Sequence, residues 1–369
     1  MKRFLIILFT FFISVIQVFA QNEDKVLPSN IGLVENVEYV EAADDIAPVK
    51  QLAEIKLLKG DLKNKKILIE NVLTGNPYFD INLKKGVKVI LHVEEADGEL
   101  NFAIEDVKRS DVLVLLSSLF CGLLVFVGKI KGFNSLISIV ITAILIFYLL
   151  SPMILAGVNP ILATILICVL STLTTMYLVG GFNQKSTSAS LGCILSLVVA
   201  GILSYLTVKL ASLTGFSSEH SVFLYSAHPE LSFVGIVIST MILATLGAVM
   251  DVAMSIASTI NEIYTLDNEK TVKELFSSGM NVGRDIIGTM ANTLILVYLG
   301  GSLPLLLLSA NIDLQKFINL NQVVTEISAA LIGSCAIVIC VPITALVASQ
   351  LVKNISPKVV NFKGISLDE

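Results

Sequence analysis

The sequence predicts an α-helical polytopic membrane protein of about seven transmembrane helices, preceded by a small exported β-rich domain. Three observations carry that prediction. Hydrophobic residues make up 54% of the 369 and charged residues only 15%, with a mean hydropathy of +0.83, a composition outside the range of ordinary soluble domains. The charges are also unevenly placed: residues 21–110 hold 17 of the 30 Asp and Glu and 12 of the 25 Lys and Arg, a net of −5. Finally, the remainder breaks into apolar runs long enough to cross a hydrocarbon core of about 30 Å at about 1.5 Å per residue.

Taken in order, Lys2 and Arg3 precede an apolar run from Phe4 to Phe19 that ends in Val18-Phe19-Ala20. This is the pattern of a secretory signal, residues 1–20, cut after Ala20. An uncleaved signal anchor is the alternative, and both place Gln21 onward outside. Residues 21–110 read as an exported β-rich domain. Its short strands Ala53 to Leu58, Lys66 to Val72, Lys88 to Glu94 and Leu100 to Ile104 are separated by Gly-, Asn-, Asp- and Pro-containing turns. Upstream, Glu35, Glu38, Glu41, Asp44 and Asp45 form an acidic stretch without a period, which reads as a loop or linker.

The transmembrane part, residues 111–351, contains the runs Val112 to Val127, Leu136 to Leu155, Ile161 to Val179, Ala189 to Leu210, Phe233 to Ile256, Ile286 to Leu308 and Ile327 to Ala348. With residues 21–110 outside, Lys129, Lys131, Lys185, Lys270, Lys273, Arg284, Lys353, Lys358 and Lys363 all fall on the cytoplasmic side. Only Lys209 and Lys316 fall outside. That asymmetry fits the positive-inside regularity and makes residues 352–369 a cytoplasmic tail. The expected location is a cytoplasmic or inner membrane. Between Tyr264 and Arg284 the sequence reads as a loop with a break at Phe276-Ser277-Ser278-Gly279-Met280. Pro304, Pro342 and Gly300-Gly301 predict kinks or a broken helix, tolerated where backbone lines protein or a cavity near the outer half.

The site hypothesis begins with Asp251. At about 100° per residue, Thr240, Ala244, Gly247, Asp251, Ser255, Ser258 and Glu262 share one stripe of an otherwise Ile, Val, Leu, Met and Ala helix. A charge at mid-membrane costs about 2.5–3.5 kcal/mol on insertion scales, so the stripe should face other helices or water. Asp285, Thr289 and Asn292, spaced i, i+4, i+7 beside Gly288, give the next helix a polar face of its own. Arg284, the one arginine after Arg109, is placed to neutralise Asp251, Glu262 or Asp285. The oxygen-bearing groups suit a hard cation or a proton on Asp251. The competing reading is plain helix packing: Gly, Ala, Ser and Thr on a stripe let helices approach closely, and Asp251 lies near the inner interface, where a charge costs less.

Other candidates are thinner. Glu219, His220, His228 and Glu230 share an outer loop, with two imidazoles and two carboxylates but no recognised metal spacing. Glu326 reads as a helix-start residue. All five cysteines lie in apolar runs and read as packing residues. No nucleophile elbow, zinc-protease motif or Walker loop is present, so no enzymatic activity and no cofactor are expected, and transport would run on ion gradients or be passive. No basic tract points to nucleic acid. The expected partners are the lipid bilayer and a small ion or solute.

A family resemblance rests on long blocks. Gly247-Ala248-Val249-Met250-Asp251-Val252-Ala253-Met254-Ser255-Ile256-Ala257-Ser258, Asn261-Glu262-Ile263, and Gly283-Arg284-Asp285-Ile286-Ile287-Gly288-Thr289-Met290-Ala291-Asn292-Thr293-Leu294 closely resemble the YibE/F-like family of bacterial multi-spanning membrane proteins. Lesser matches are Leu303-Pro304-Leu305-Leu306, Asn321 with Glu326-Ile327, and Val341-Pro342-Ile343-Thr344. One departure is Ser328-Ala329-Ala330, where the family commonly carries a basic residue. The resemblance implies an integral membrane location and supplies no activity. Two functions stay open on this reading: an ion-coupled secondary transporter or channel built on Asp251, Ser255, Ser258, Glu262, Arg284, Asp285, Thr289 and Asn292, or a non-transporting envelope scaffold or signalling protein whose exported domain binds a partner.

Overall fold

The computed structural model describes residues 30–40, 49–59, 62–96 and 99–355; the predicted signal, residues 1–20, lies outside them. Two compact units divide near Leu123 and Leu124. The first is a five-stranded antiparallel sheet in the order β3-β2-β1-β4-β5, with β1 Asn30–Val40, β2 Val49–Leu57, β3 Lys66–Leu73, β4 Lys88–Ala96 and β5 Glu99–Val107. Its edge strands β3 and β5 approach one another, so the sheet nearly closes. The four predicted strands are present, and the acidic stretch needs correction: Glu35 and Glu38 lie in β1, the strand between β2 and β4. A register shift between Val34 and Asn36 hides this strand from a period-two search, because an extra residue moves the following side chains to opposite faces. Glu41, Asp44 and Asp45 lie outside the described residues.

The inward positions Val34, Ala53, Ile55, Leu57, Ile69, Leu83, Val89 and Leu91 make the core. Gly32 belongs to the same layer for a steric reason, since a Cβ there would run into Ile55. One polar side chain enters this core. Gln51 is fully buried, donating to Asn82 Oδ1 (3.0 Å) and the Leu83 carbonyl (3.3 Å) and accepting from Asn71 Nδ2 (2.9 Å) and the Leu83 amide (3.1 Å).

Beyond β3, Asp80 ties the turn that carries Tyr78 and Phe79. Its carboxylate accepts from the Thr74 amide (2.6 Å), the Thr74 hydroxyl (2.8 Å) and the Gly75 amide (2.8 Å), and these bonds, led by the Thr74 amide, hold its pKa below the usual value. A lowered folded-state pKa means that stabilisation of the turn is present above the ordinary carboxylate pKa and is lost as pH falls through the lowered one. The Thr74 and Gly75 amide resonances should therefore titrate together at acid pH, and Asp80→Asn should abolish that titration. Amides that shift with an ordinary carboxylate pKa would count against this network.

The second unit is helical. Its elements are α1 Ser110–Leu145, continued by a π-helical turn Ile146–Leu150 and α2 Ser151–Leu155; α3 Pro160–Gly180; α4 Gln184–Leu210; α5 Glu219–Ala227; α6 Phe233–Leu266; α7 Val272–Gly301; α8 Leu303–Leu308; α9 Leu314–Ile318; and α10 Asn321–Ile355. Among the described residues, six helices are long and apolar enough to cross a membrane. The first of these, Ser110–Leu155, contains both of the first two predicted segments. They are split at Lys129, whose backbone (φ 50°, ψ −131°) is not helical. A Cβ on Gly132 would meet the Leu124 carbonyl oxygen. Eight residues of unbroken helix would hold those positions about 12 Å apart, so the chain doubles back here.

Two further expectations change. Tyr264 to Arg284 is not a loop: α6 runs to Leu266, Thr271 caps α7 in a reciprocal box with Glu274, and Ser277-Ser278-Gly279-Met280 is helical. Gly279 and Gly283 are there for packing. A Cβ on Gly279 would come 2.6 Å from Ile260 Cδ1, and one on Gly283 would strike Val341 Cγ1 and lie 2.9 Å from Ile256 Cδ1. This small-x-x-x-small seam seats α7 between α6 and α10. The predicted break near Gly300-Gly301 does occur, at Ser302, with Pro304 opening α8, whereas Pro342 sits inside an unbroken α10.

Helices α4, α6 and α10 pack on one another, α3 lies against α4 and α6, and α7 lies against α6 and α10. The polar content of this core consists of hydroxyls and thiols, and glycines mark its close approaches. Ser188, Ser190, Ser196 and Ser204 of α4 bond back to carbonyls one turn earlier, Thr172 meets Cys193 at 3.6 Å, and a Cβ on Gly192 would strike Thr344. Hydrogen bonds also place the helix ends. Asn134 donates to the Leu178 carbonyl (3.0 Å), and Lys353 donates to the Asn268 (3.1 Å) and Lys270 (3.0 Å) carbonyls. At the other end, Asn321 donates to Thr214 Oγ1 (2.8 Å) and the Phe216 carbonyl (3.1 Å). The lysines at 129, 131, 185, 270, 273 and 353 thus gather at one end of the bundle.

Candidate functional site

The stripe on α6 is where the sequence places it, and it faces away from the bundle. Thr240, Ala244, Gly247, Asp251, Ser255 and Glu262 are exposed and Ser258 is half-buried, while the opposite face, Val249, Val252, Ala253, Ile256 and Ile260, fills the core. The same division holds on α7. Leu275, Gly279, Gly283 and Leu294 are buried, and Asn281, Arg284, Asp285, Gly288, Thr289 and Asn292 form an open polar face. Measured along the helix axes, Asp251 lies 18 residues from Phe233 and Asp285 lies 16 residues from Gly301, about 27 Å and about 24 Å from the lysine-poor end. The two carboxylates therefore share a level near one edge of a hydrocarbon core about 30 Å thick. Glu262, about 44 Å along the same helix, is beyond that core.

Two expectations about this site are answered by the geometry. Arg284 donates to Asn281 Oδ1 (3.2 Å), and among the described residues it makes no ion pair with Asp251, Glu262 or Asp285. Thr289 bonds back to its own helix, to the Ile286 carbonyl at 3.0 Å. No side-chain hydrogen bond among the described residues links the α6 stripe to the α7 face. Among the described residues, Gly247 of the stripe and Gly288 of α7 are likewise not used for packing: a Cβ on either would meet nothing within 4 Å. Glycines that do pack helices closely, among them 180, 192, 279, 283 and 333, are elsewhere.

A second arrangement lies toward the other end of α7. Two adjoining clefts share Tyr298, Ser302, Leu305 and Glu326. One, about 210 Å³, is walled mainly by apolar side chains, among them Ile295, Leu299 and Phe317. The other, about 310 Å³, adds Gln322, Gly301 and Pro304. Glu326, in the second turn of α10, is half-buried. The expected helix-start role understates this residue, which the break after Gly301 leaves beside open space. The signal that could have found it is the coincidence of that break with a carboxylate in the first turns of the next apolar run. In the loop before α6, His228 meets Glu230 at 3.2 Å, and among the described residues no three imidazole, thiol or carboxylate groups gather to hold a metal.

These features sit inside two family matches. The model of the YibE/F-like protein family matches residues 116–354, and that of the YibE/F family N-terminal domain matches residues 29–107. The chain belongs to the YibE/F family. No curated protein and no solved structure matches it. For this YibE/F protein, the helical match contains both polar faces, the α7 seam and the Glu326 clefts, and the N-terminal match contains the whole five-stranded sheet.

Proposed function

We propose that this YibE/F protein is a secondary transporter or channel for a small ion or solute, whose route runs along the open faces of α6 and α7. One observation carries the reading: two consecutive spanning helices hold Asp251, Glu262, Arg284 and Asp285 on faces that stay exposed among the described residues. Hydrocarbon is a poor solvent for Asp251, Arg284, Asp285, Thr289 and Asn292, and intramembrane ionisable groups of this kind commonly line water-filled or ion-conducting space. The buried hydroxyls of Ser190, Ser196 and Ser204 in α4 bond back to carbonyls of their own helix and offer no such route. In this reading Asp251 and Asp285 bind the moving cation or proton, Ser255, Ser258 and Thr289 supply oxygen ligands, Arg284 limits the net negative charge, and Glu262 stands at the mouth. By the positive-inside regularity the lysine-bearing end is cytoplasmic, which puts the β-rich module outside.

Purified protein in liposomes, followed for proton, sodium and potassium flux under imposed gradients, tests this. Asp251→Asn should fold as the wild type does and lose at least about tenfold in flux, the scale of a lost charge contact of about 1.4 kcal/mol or more. Undiminished flux in that variant, or no flux in the wild type under any gradient, defeats the proposal.

A second reading, an envelope scaffold whose exported module binds a partner, is favoured by Tyr78 (77% exposed) and Phe79 (70% exposed), an edge-to-face pair on the turn that Asp80 holds in shape. Exposed aromatics on a pre-ordered turn are typical anchors for a protein partner.

A further inference from the structure

We propose that the paired clefts around Glu326 form a binding site for an amphipathic ammonium compound, a primary alkyl- or arylalkylammonium whose charged end meets Glu326 and whose apolar body lies among Ile295, Leu299 and Phe317. The site is separate from the α6 and α7 faces and stands whether or not those faces conduct.

The argument starts from charge. Among the described residues, Glu326 is the one carboxylate lining either cleft, and no Lys, Arg or His lines them. Among the described residues it makes no hydrogen bond or ion pair, although α10 is a spanning helix in which a carboxylate without a partner is costly. A cation is therefore the complement that this wall lacks. The neighbouring groups refine the choice. Tyr298, Ser302 and Gln322 bring a phenol, a hydroxyl and a carboxamide to the same wall, enough acceptors for the several N–H donors of an ammonium head. A bare metal ion would use those oxygens but gain nothing from the apolar cleft beside them. A ligand with both ends uses both compartments, the usual composition of small-molecule sites, where an apolar lining supplies contact and a few polar groups fix orientation. The break after Gly301 opens the space: α7 ends, Pro304 starts α8 without a backbone N–H to satisfy, and Phe317 of α9 closes the far wall.

Phenethylammonium serves as the probe, titrated calorimetrically into the full-length protein in a neutral maltoside detergent. Saturable binding is expected, weakened at least tenfold by Glu326→Gln. The uncharged analogue 2-phenylethanol should bind the two proteins equally. No saturable binding by the wild type, or equal phenethylammonium affinity in Glu326→Gln, overturns the assignment. Should Glu326→Gln fail to run as a single species, Leu306→Trp, which fills the apolar cleft, decides the matter: lost binding supports the site and retained binding refutes it. Asp251→Asn should bind the probe as the wild type does, so failure here is distinguishable from failure of the transport reading. Repeating the titration in nanodiscs with and without phosphatidylethanolamine identifies the source of the ligand. Competition by that lipid supports recognition of an ammonium headgroup, and its absence with retained probe binding supports a free solute.

Discussion

Gly283→Leu is expected to unseat α7 and lower the midpoint of thermal unfolding of the membrane unit by about 2 to 12 °C, with Gly288→Leu as its control. The two glycines lie five residues apart on one helix, and helix propensity alone favours leucine at both by up to about 1 kcal/mol. They differ in what surrounds them. At Gly283 even a Cβ meets Val341 Cγ1 and lies 2.9 Å from Ile256 Cδ1, both on helices whose own positions are fixed by the α4, α6 and α10 core. At Gly288 nothing lies within 4 Å. Overpacking of a tight core typically costs about 1–3 kcal/mol and sometimes more. For a unit of this size each kcal/mol moves the midpoint by about 2–4 °C. Size-exclusion chromatography after heating reads both variants. Equal loss in Gly283→Leu and Gly288→Leu would mean that the seam is not what holds α7.

The second large effect is expected in the β-rich module. Gln51→Leu keeps the volume of a fully buried side chain but strands the Leu83 amide and carbonyl and removes the bridge from Asn71 to Asn82. Leaving buried donors and acceptors unsatisfied costs about 1–3 kcal/mol each, and two backbone groups are affected. The expected loss is about 2–6 kcal/mol. In hydrogen exchange on the full-length protein it should appear as roughly thirty-fold or greater loss of protection across β2 and β4, given about tenfold per 1.4 kcal/mol. Exchange confined to Leu83 and its neighbours would show instead that the 81–83 segment opens by itself and that the sheet does not depend on Gln51.

These two predictions mark the limits of what could be read from the residues in order. Alternation within 53–58, 66–72 and 88–94 was enough for β2, β3 and β4, because those stretches keep period two. β1 was not legible, since its bulge between Val34 and Asn36 resets the period in the middle of the strand. The apolar runs and the lysine asymmetry located the spans and their common end. The same logic misread residues 276–280, where a Gly after two serines looks like a chain break, but in the fold Gly279 meets Ile260 and Ala345.

The candidate site divides in the same way. Asp251, Ser255 and Glu262 on one face of α6, and Asp285, Thr289 and Asn292 on one face of α7, follow from helical periodicity, which depends on backbone geometry and needs no partner. Family membership likewise follows from contiguous blocks such as 247–258 and 283–294. Which way those faces point is a matter of which helix sits beside which. Only the packed bundle places Gly247 and Gly288 in the open and Gly279 and Gly283 in contact, keeps Arg284 from an ion pair with Asp251, and gathers Tyr298, Ser302 and Glu326 around two clefts. The reason is range. Hydropathy and periodicity are sums over neighbours along the chain, whereas side-chain contacts join residues dozens of positions apart, selected by shape at distances of a few ångströms.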